Sequence, residues 1–396
     1  MNNERLWTKN FIAVLIVNFL ITLVLFLLMV TIASYAVNEF HVTTALAGLV
    51  SGIFIIGAFI GRLITGRIVE DIGSKKILII GLIFYIITSA LYFGAINITL
   101  LLINRILHGI AYGAASTAAG TIVAQIIPPD KRGEGVGYYG MGAILATAVG
   151  PFIGILLNQN ADFKMIFVFN LILGIISLAV TFIISQLAYK SLKQDQVIAK
   201  ESFKISNYLE FNAIPIAIVS SIIGFSFSGI LSFLSFYSKQ IQLVDAASFF
   251  FLVYSITILI TRPIFGRLFD RKGANAVVYP CLLVFATGML LFSQAKNGNT
   301  LLLAAVIIGL GFGNYISAGQ VIAIKAVPTN RLGLATSTYY MLYDVGLGIG
   351  PFLLGALVPF TGYRGLFLMM AIVILADIVL YYFLHGRKEK QVNHDY

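Results

Sequence analysis

The sequence predicts an all-α membrane protein of twelve transmembrane helices, arranged as two pseudo-symmetric six-helix bundles. Three observations predict it. Of 396 residues, 59% are hydrophobic and 11% charged, with a mean hydropathy of +0.96, whereas a soluble domain carries about 25% charged residues. Twelve apolar runs, each near the ~20 residues needed to cross a bilayer, fill the chain. The front half then repeats in the back half at a constant offset.

The runs fall at 11–37, 46–69, 77–96, 100–126, 135–158, 164–187, 209–238, 247–268, 276–295, 300–326, 335–358 and 365–384. The first, Phe11 to Val37, is longer than the apolar region of a cleavable signal and reads as a spanning helix. The even number puts both termini on one side. With the termini cytoplasmic, the inside segments hold nearly all of the 26 Lys and Arg, and only Lys164, Lys239, Lys296 and Arg364 fall outside. That is the positive-inside bias, and it places the protein in a cell membrane with both ends in the cytoplasm. The same bias accounts for the net charge of +10 without nucleic acid. Domains are expected at 1–187 and 209–396, joined by a polar cytoplasmic linker at 188–208.

Arg62, Gly66, Arg67 and Gly73 recur 200 residues later as Arg262, Gly266, Arg267 and Gly273. The same shift carries Pro128 to Pro328, Gly133 to Gly333, Tyr139 to Tyr339, and Gly150-Pro151-Phe152 to Gly350-Pro351-Phe352. Duplicated halves around a midplane binding site are a transporter architecture.

These motifs resemble the major facilitator superfamily over essentially the whole chain. Gly66 to Lys76 is similar to that family's signature between helices 2 and 3, with Glu70 where an acid stands, and Asp71 and Ser74 where bases are usual; the second copy has Asp270 and Arg271. Arg105, Gly109 and Gly113 resemble its fourth-helix signature. Gly142, Ala146, Gly150, Pro151 and Gly154 resemble the fifth-helix pattern of its antiporter branch, with Ile155 where the last glycine of that pattern falls. The resemblance implies proton-coupled efflux of a small organic molecule, such as a drug, metabolite or metallophore, by alternating access. A proton-coupled uptake symporter or a lipid-handling flippase are the alternatives. It also implies a cytoplasmic latch at Gly66, Arg67, Glu70, Asp71, Gly73, Asp270 and Arg271, and a role in proton coupling for Arg105. Gly150, Pro151, Gly350 and Pro351 read as packing and hinge positions, because a proline inside a helix removes a backbone hydrogen bond.

Ionisable groups inside the membrane cost about 2.5–3.5 kcal/mol each on insertion scales and are usually kept for function. Asp344, within Tyr-Met-Leu-Tyr-Asp-Val-Gly, is the leading candidate for a proton-coupling or substrate-binding carboxylate; the plainer alternative is a buried acid satisfied by tyrosines or Arg105. Asp377 in the twelfth span is a second acid, and His108 shares a helix face with Arg105 and Tyr112. For Arg105 the alternative role is a clamp on backbone carbonyls. Asn18, Tyr112, Gln125, Ser228, Ser232, Ser235, Asn314, Tyr315, Gln320, Tyr339, Tyr340 and Tyr343 are expected to line a polar cavity; for the serines, interhelical hydrogen bonding is the simpler reading. Asn18 stands in the first span, where many antiporters of the family carry an acid.

No G-x-x-x-x-G-K-[ST] loop is present, so the proton gradient is the expected energy source, with no cofactor or metal and no enzymatic activity. The single Cys281 cannot form an internal disulfide and reads as packing. The glycine-rich Gly309–Gly313 and Gly346–Gly350 lie inside apolar spans and read as helix contacts. The expected partners are a small-molecule substrate, protons and the lipid bilayer, for a monomeric protein.

Overall fold

The computed structural model describes residues 6–128, 132–160, 162–184, 209–328 and 331–387, with helices and no strand among them. The linker expected at 188–208 and the side chains of Glu70 and Asp71 lie outside the described residues. The chain divides into two compact units, Met1–Tyr189 and Lys190–Tyr396.

The first unit contains α1 (Lys9–Phe40), α2 (Thr44–Ile72), α3 (Ser74–Leu91), α4 (Ile98–Ile126), α5 (Arg132–Asn160) and α6 (Phe163–Thr181). The second contains α7 (Ile214–Gln240), α8 (Val244–Lys272), α9 (Asn275–Ser293), α10 (Gly298–Ile308), α11 (Asn314–Lys325) and α12 (Leu332–Tyr381). A π-helical stretch, Gly309–Gly313, joins α10 to α11, so together they form one crossing, Gly298–Lys325. Among the described residues, eleven helices are long and apolar enough to cross a membrane. The last, Leu334–Gly386, has 53 residues, about 80 Å of helix at 1.5 Å per residue, against a hydrocarbon core of ~30 Å. It breaks at Gly362, whose φ of 64° and ψ of 174° are not helical. The break falls inside the expected gap between residues 358 and 365, and the helix supplies the eleventh and twelfth crossings.

Helix ends repeat along with the sequence. The Asn97 side chain accepts a hydrogen bond from Leu100 N at 2.9 Å, and Asn297 accepts one from Thr300 N at 2.9 Å. Each satisfies a backbone donor that the first turn leaves open. Gly73 and Gly273 close α2 and α8 with φ of 96° and 79°, a conformation glycine reaches without a Cβ penalty.

Packing within each unit follows the same plan. In the first, α2 lies on α4 and α1 on α5; in the second, α8 lies on α10 and α7 on α12. The α2–α4 contact brings backbones together, because a Cβ on Gly109 or Gly113 would collide with the carbonyls of Phe54 and Ala58. Two hundred residues on, a Cβ on Gly309 would come within 2.7 Å of the Tyr254 carbonyl. Glycine stripes of this kind are how helices approach closely in lipid, where no hydrophobic force drives them together. The start of α7 is held separately: buried Glu210 pairs with Arg331 Nε at 2.8 Å, and its backbone N–H donates to Thr338 Oγ1 at 2.9 Å.

Candidate functional site

The polar interior of the first unit centres on Arg105, seven residues after the start of α4 and fully buried. Its guanidinium donates from Nε to the Val50 carbonyl at 2.9 Å, from Nη2 to the Ser51 carbonyl at 3.1 Å and from Nη1 to the Tyr92 hydroxyl at 3.2 Å. The Phe54 ring lies 4.6 Å from its centre, which adds a cation–π contact. No carboxylate joins it among the described residues. Its fork fits a clamp on backbone carbonyls, since a planar group with divergent donors reaches two adjacent carbonyls at once.

The Tyr92 hydroxyl stands 3.0 Å from His108 Nδ1, and His108 Nε2 stands 3.4 Å from Ser89 Oγ. Arg105 can only donate, so Tyr92 accepts from it and spends its own proton on His108 Nδ1. That assignment places the ring proton on Nε2, facing Ser89. The Tyr85 ring, 4.3 Å away, covers the imidazole. Arg105 and His108 are thus brought together through Tyr92. Tyr112 sits one turn further along, with its hydroxyl 3.4 Å from Thr22 Oγ1; Asn18, one turn before Thr22 on α1, is also buried. Gln125 belongs elsewhere. It is exposed near the far end of α4, about 30 Å along the helix from Arg105, and accepts from Ser74 Oγ at 3.0 Å.

In the second unit, α11 and the first half of α12 share a tyrosine-rich layer. Tyr339 donates to the Ile316 carbonyl and Tyr340 to Gln320 Oε1, both at 2.9 Å, and Tyr340 and Tyr343 sit edge to face at 6.5 Å. Asp344 is half-buried and electrostatically coupled to Tyr340 and Tyr343. Tyr315 pairs with Ser220 Oγ at 2.9 Å, and Asn314 donates to Thr261 Oγ1 at 2.9 Å. Asp377 is 1% exposed, and neither carboxylate oxygen has a hydrogen-bond partner.

On α7 the Ser228 hydroxyl turns back onto its own helix, not across to a neighbouring one. Ser228 donates to the Phe225 carbonyl at 2.7 Å and fills the space that a Cβ on Gly350 would need. Ser232 and Ser235 are buried beside it on the same helix. Cys281 is buried and free, against the π-helical turn. The glycines of that turn close on neighbouring helices, Gly309 on Tyr254 and Gly311 on Cys281 and Phe285. Pro151 and Pro351 lie inside α5 and α12. Asp270 and Arg271 are exposed at the end of α8, and Arg67 is exposed near the end of α2.

Two residues escaped sequence reasoning. Tyr92 and Ser220 hold Arg105, His108 and Tyr315 in place, but each sits on a different helix from its partner. Nothing in local spacing links them.

A profile of the Major Facilitator Superfamily matches residues 14–245 and 216–395. An uncharacterised MFS-type transporter of Methanocaldococcus jannaschii is 26% identical over 341 residues, covering 84% of this chain and 88% of its own. Multidrug resistance protein 3 of Bacillus subtilis is 32% identical over 129 residues, covering 33% of this chain and 25% of its own. The crystal structure of a bacterial homolog to the human lysosomal transporter Spinster, inward-facing and unoccupied, superposes with a TM-score of 0.78. It is 14% identical and covers 97% of this chain and 98% of its own, a shared fold.

Proposed function

The chain belongs to the Major Facilitator Superfamily of membrane transporters, and from that premise we propose that it is a proton-coupled antiporter exporting a small amphipathic or zwitterionic organic molecule. The observation that carries this reading is the fifth helix. The glycine–proline pattern that resembles the antiporter branch is built into close backbone contact with α1. A Cβ on Gly150 would come within 2.6 Å of the Leu23 carbonyl, and one on Gly154 within 3.0 Å of the Leu27 carbonyl. Two glycines of the pattern thus sit at that contact, and Pro151 follows inside the same helix.

In this reading the protein works by alternating access in a cell membrane, with both termini in the cytoplasm and the helix ends around Gly66–Gly73 and Asp270–Arg271 serving as the cytoplasmic latch. Asp344, half-exposed among tyrosines, supplies a carboxylate to the transport path. One proton entering across 100 mV releases about 2.3 kcal/mol, enough to sustain a gradient of tens-fold.

Purified protein in proteoliposomes holding a lumenal pH dye tests it, with a panel of amphipathic and zwitterionic metabolites added outside. Antiport alkalinises the lumen as substrate enters and protons leave. Acidification would instead establish symport, and substrate movement with no proton movement would remove coupling altogether.

A further inference from the structure

Asp377 and Asp344 are both acids of the second unit, but their surroundings differ in kind. Asp344 is half-buried and has interaction partners. Asp377, in the second half of α12, is sealed inside the bundle with both oxygens unpartnered. It does not face lipid, because the protein itself covers it. A buried carboxylate that accepts no hydrogen bond and pairs with no cation is far more costly ionised than neutral.

The groups around it do not relieve the charge. Tyr315 of α11 is within electrostatic reach, but its hydroxyl is engaged with Ser220 of α7. Tyr381, one turn along α12, donates to Asn275 Oδ1 of α9 at 2.9 Å and stacks edge to face on Tyr279. His385, a further turn on, lies against Tyr381. Among the described residues no Lys, Arg or His forms an ion pair with Asp377. Of these groups, Tyr315, Tyr381 and Tyr279 are phenols, and the imidazole of His385 lies two turns along the helix.

We propose that Asp377 is a proton-binding site distinct from Asp344, occupied as the neutral acid in the conformation described here. The step is simple: the carboxylate takes one proton from water to form a carboxylic acid, and gives it back when the bundle opens. The ionised form needs water or a donor that this packing does not supply, so it favours an arrangement of α12 against α7 and α11 in which the site is hydrated. Binding and release of the proton then shift the population between two packings of the unit. The use of this proton in transport rests on the antiport reading above; its presence on Asp377 does not.

Infrared spectroscopy of the full-length protein near neutral pH, in detergent or reconstituted, tests the site without a substrate. The C=O stretching band of a protonated carboxylic acid is expected in wild type and in Asp344→Asn. It should be lost in Asp377→Asn and shifted in Asp377→Glu, which keeps the decision open if the Asn variant fails to fold. A band unchanged in Asp377→Asn, or no band in wild type, overturns the proposal. Loss of the band when NaCl replaces KCl at constant pH also overturns it, in favour of a sodium site. Proteoliposomes separate the two readings. A wild type that shows the band but no counter-movement of protons defeats antiport and leaves the proton on Asp377.

Discussion

Arg105 commits all its hydrogen bonds within its own unit: two to carbonyls of α2 and one to the Tyr92 hydroxyl. A lysine at that position keeps the charge but not the planar fork, so at least one of these acceptors goes unserved. We predict that Arg105→Lys lowers stability by about 1–3 kcal/mol, read as a fall in the thermal unfolding midpoint in detergent. An unchanged midpoint would show that a point charge suffices. Arg105, His108 and Tyr112 were legible as one face of a helix, because helical spacing is a property of sequence. What Arg105 binds was not legible, since a backbone carbonyl carries no residue identity and Val50 lies 55 positions away.

At the level of helices, hydropathy located every crossing because lipid demands a long apolar run and satisfied backbone groups. The turn at Gly362 was likewise readable from the gap in apolar residues. Composition could not show the π-helical stretch at Gly309–Gly313, where the glycines suit α- and π-geometry alike. The glycine face of α5 was readable as a pattern, but the structure separates its members. A Cβ on Gly150 would strike the Leu23 carbonyl, whereas one on Gly142 would find its nearest neighbour, Phe19, at 4.0 Å. Gly150→Ala should therefore cost about 1–3 kcal/mol through overpacking and slow transport. Gly142→Ala should be silent in both assays, and equal effects would mean that the glycines act by composition and not by contact.

For the molecule as a whole, duplication was the most legible feature, because a single offset of 200 aligns turns, caps and packing contacts. Coupling between chemistry and motion was the least legible, since it depends on which buried acids are sealed and which are reachable. The half-exposed position of Asp344 beside Tyr340 and Tyr343 suits a group that meets substrate. Asp344→Asn is expected to abolish substrate-driven proton movement in proteoliposomes, by tenfold or more, with the fold intact by thermal unfolding. Coupling retained in that variant would remove Asp344 from the proton path.

The tenth crossing also bears on how twin halves come to do different things, because its π-helical stretch leaves the register of the helix beyond it unchanged. Asn314, Tyr315 and Gln320 occupy the places that Ala114, Ala115 and Gly120 hold in the earlier copy. Burial runs in the same register in both copies beyond that point, with Tyr315, Ala318, Gly319, Ile322 and Ala323 buried as Ala115, Ala118, Ala119, Ile122 and Val123 are. Polar side chains therefore stand at places that small ones hold in the twin, and one ancestral bundle can serve as a frame while its duplicate acquires chemistry.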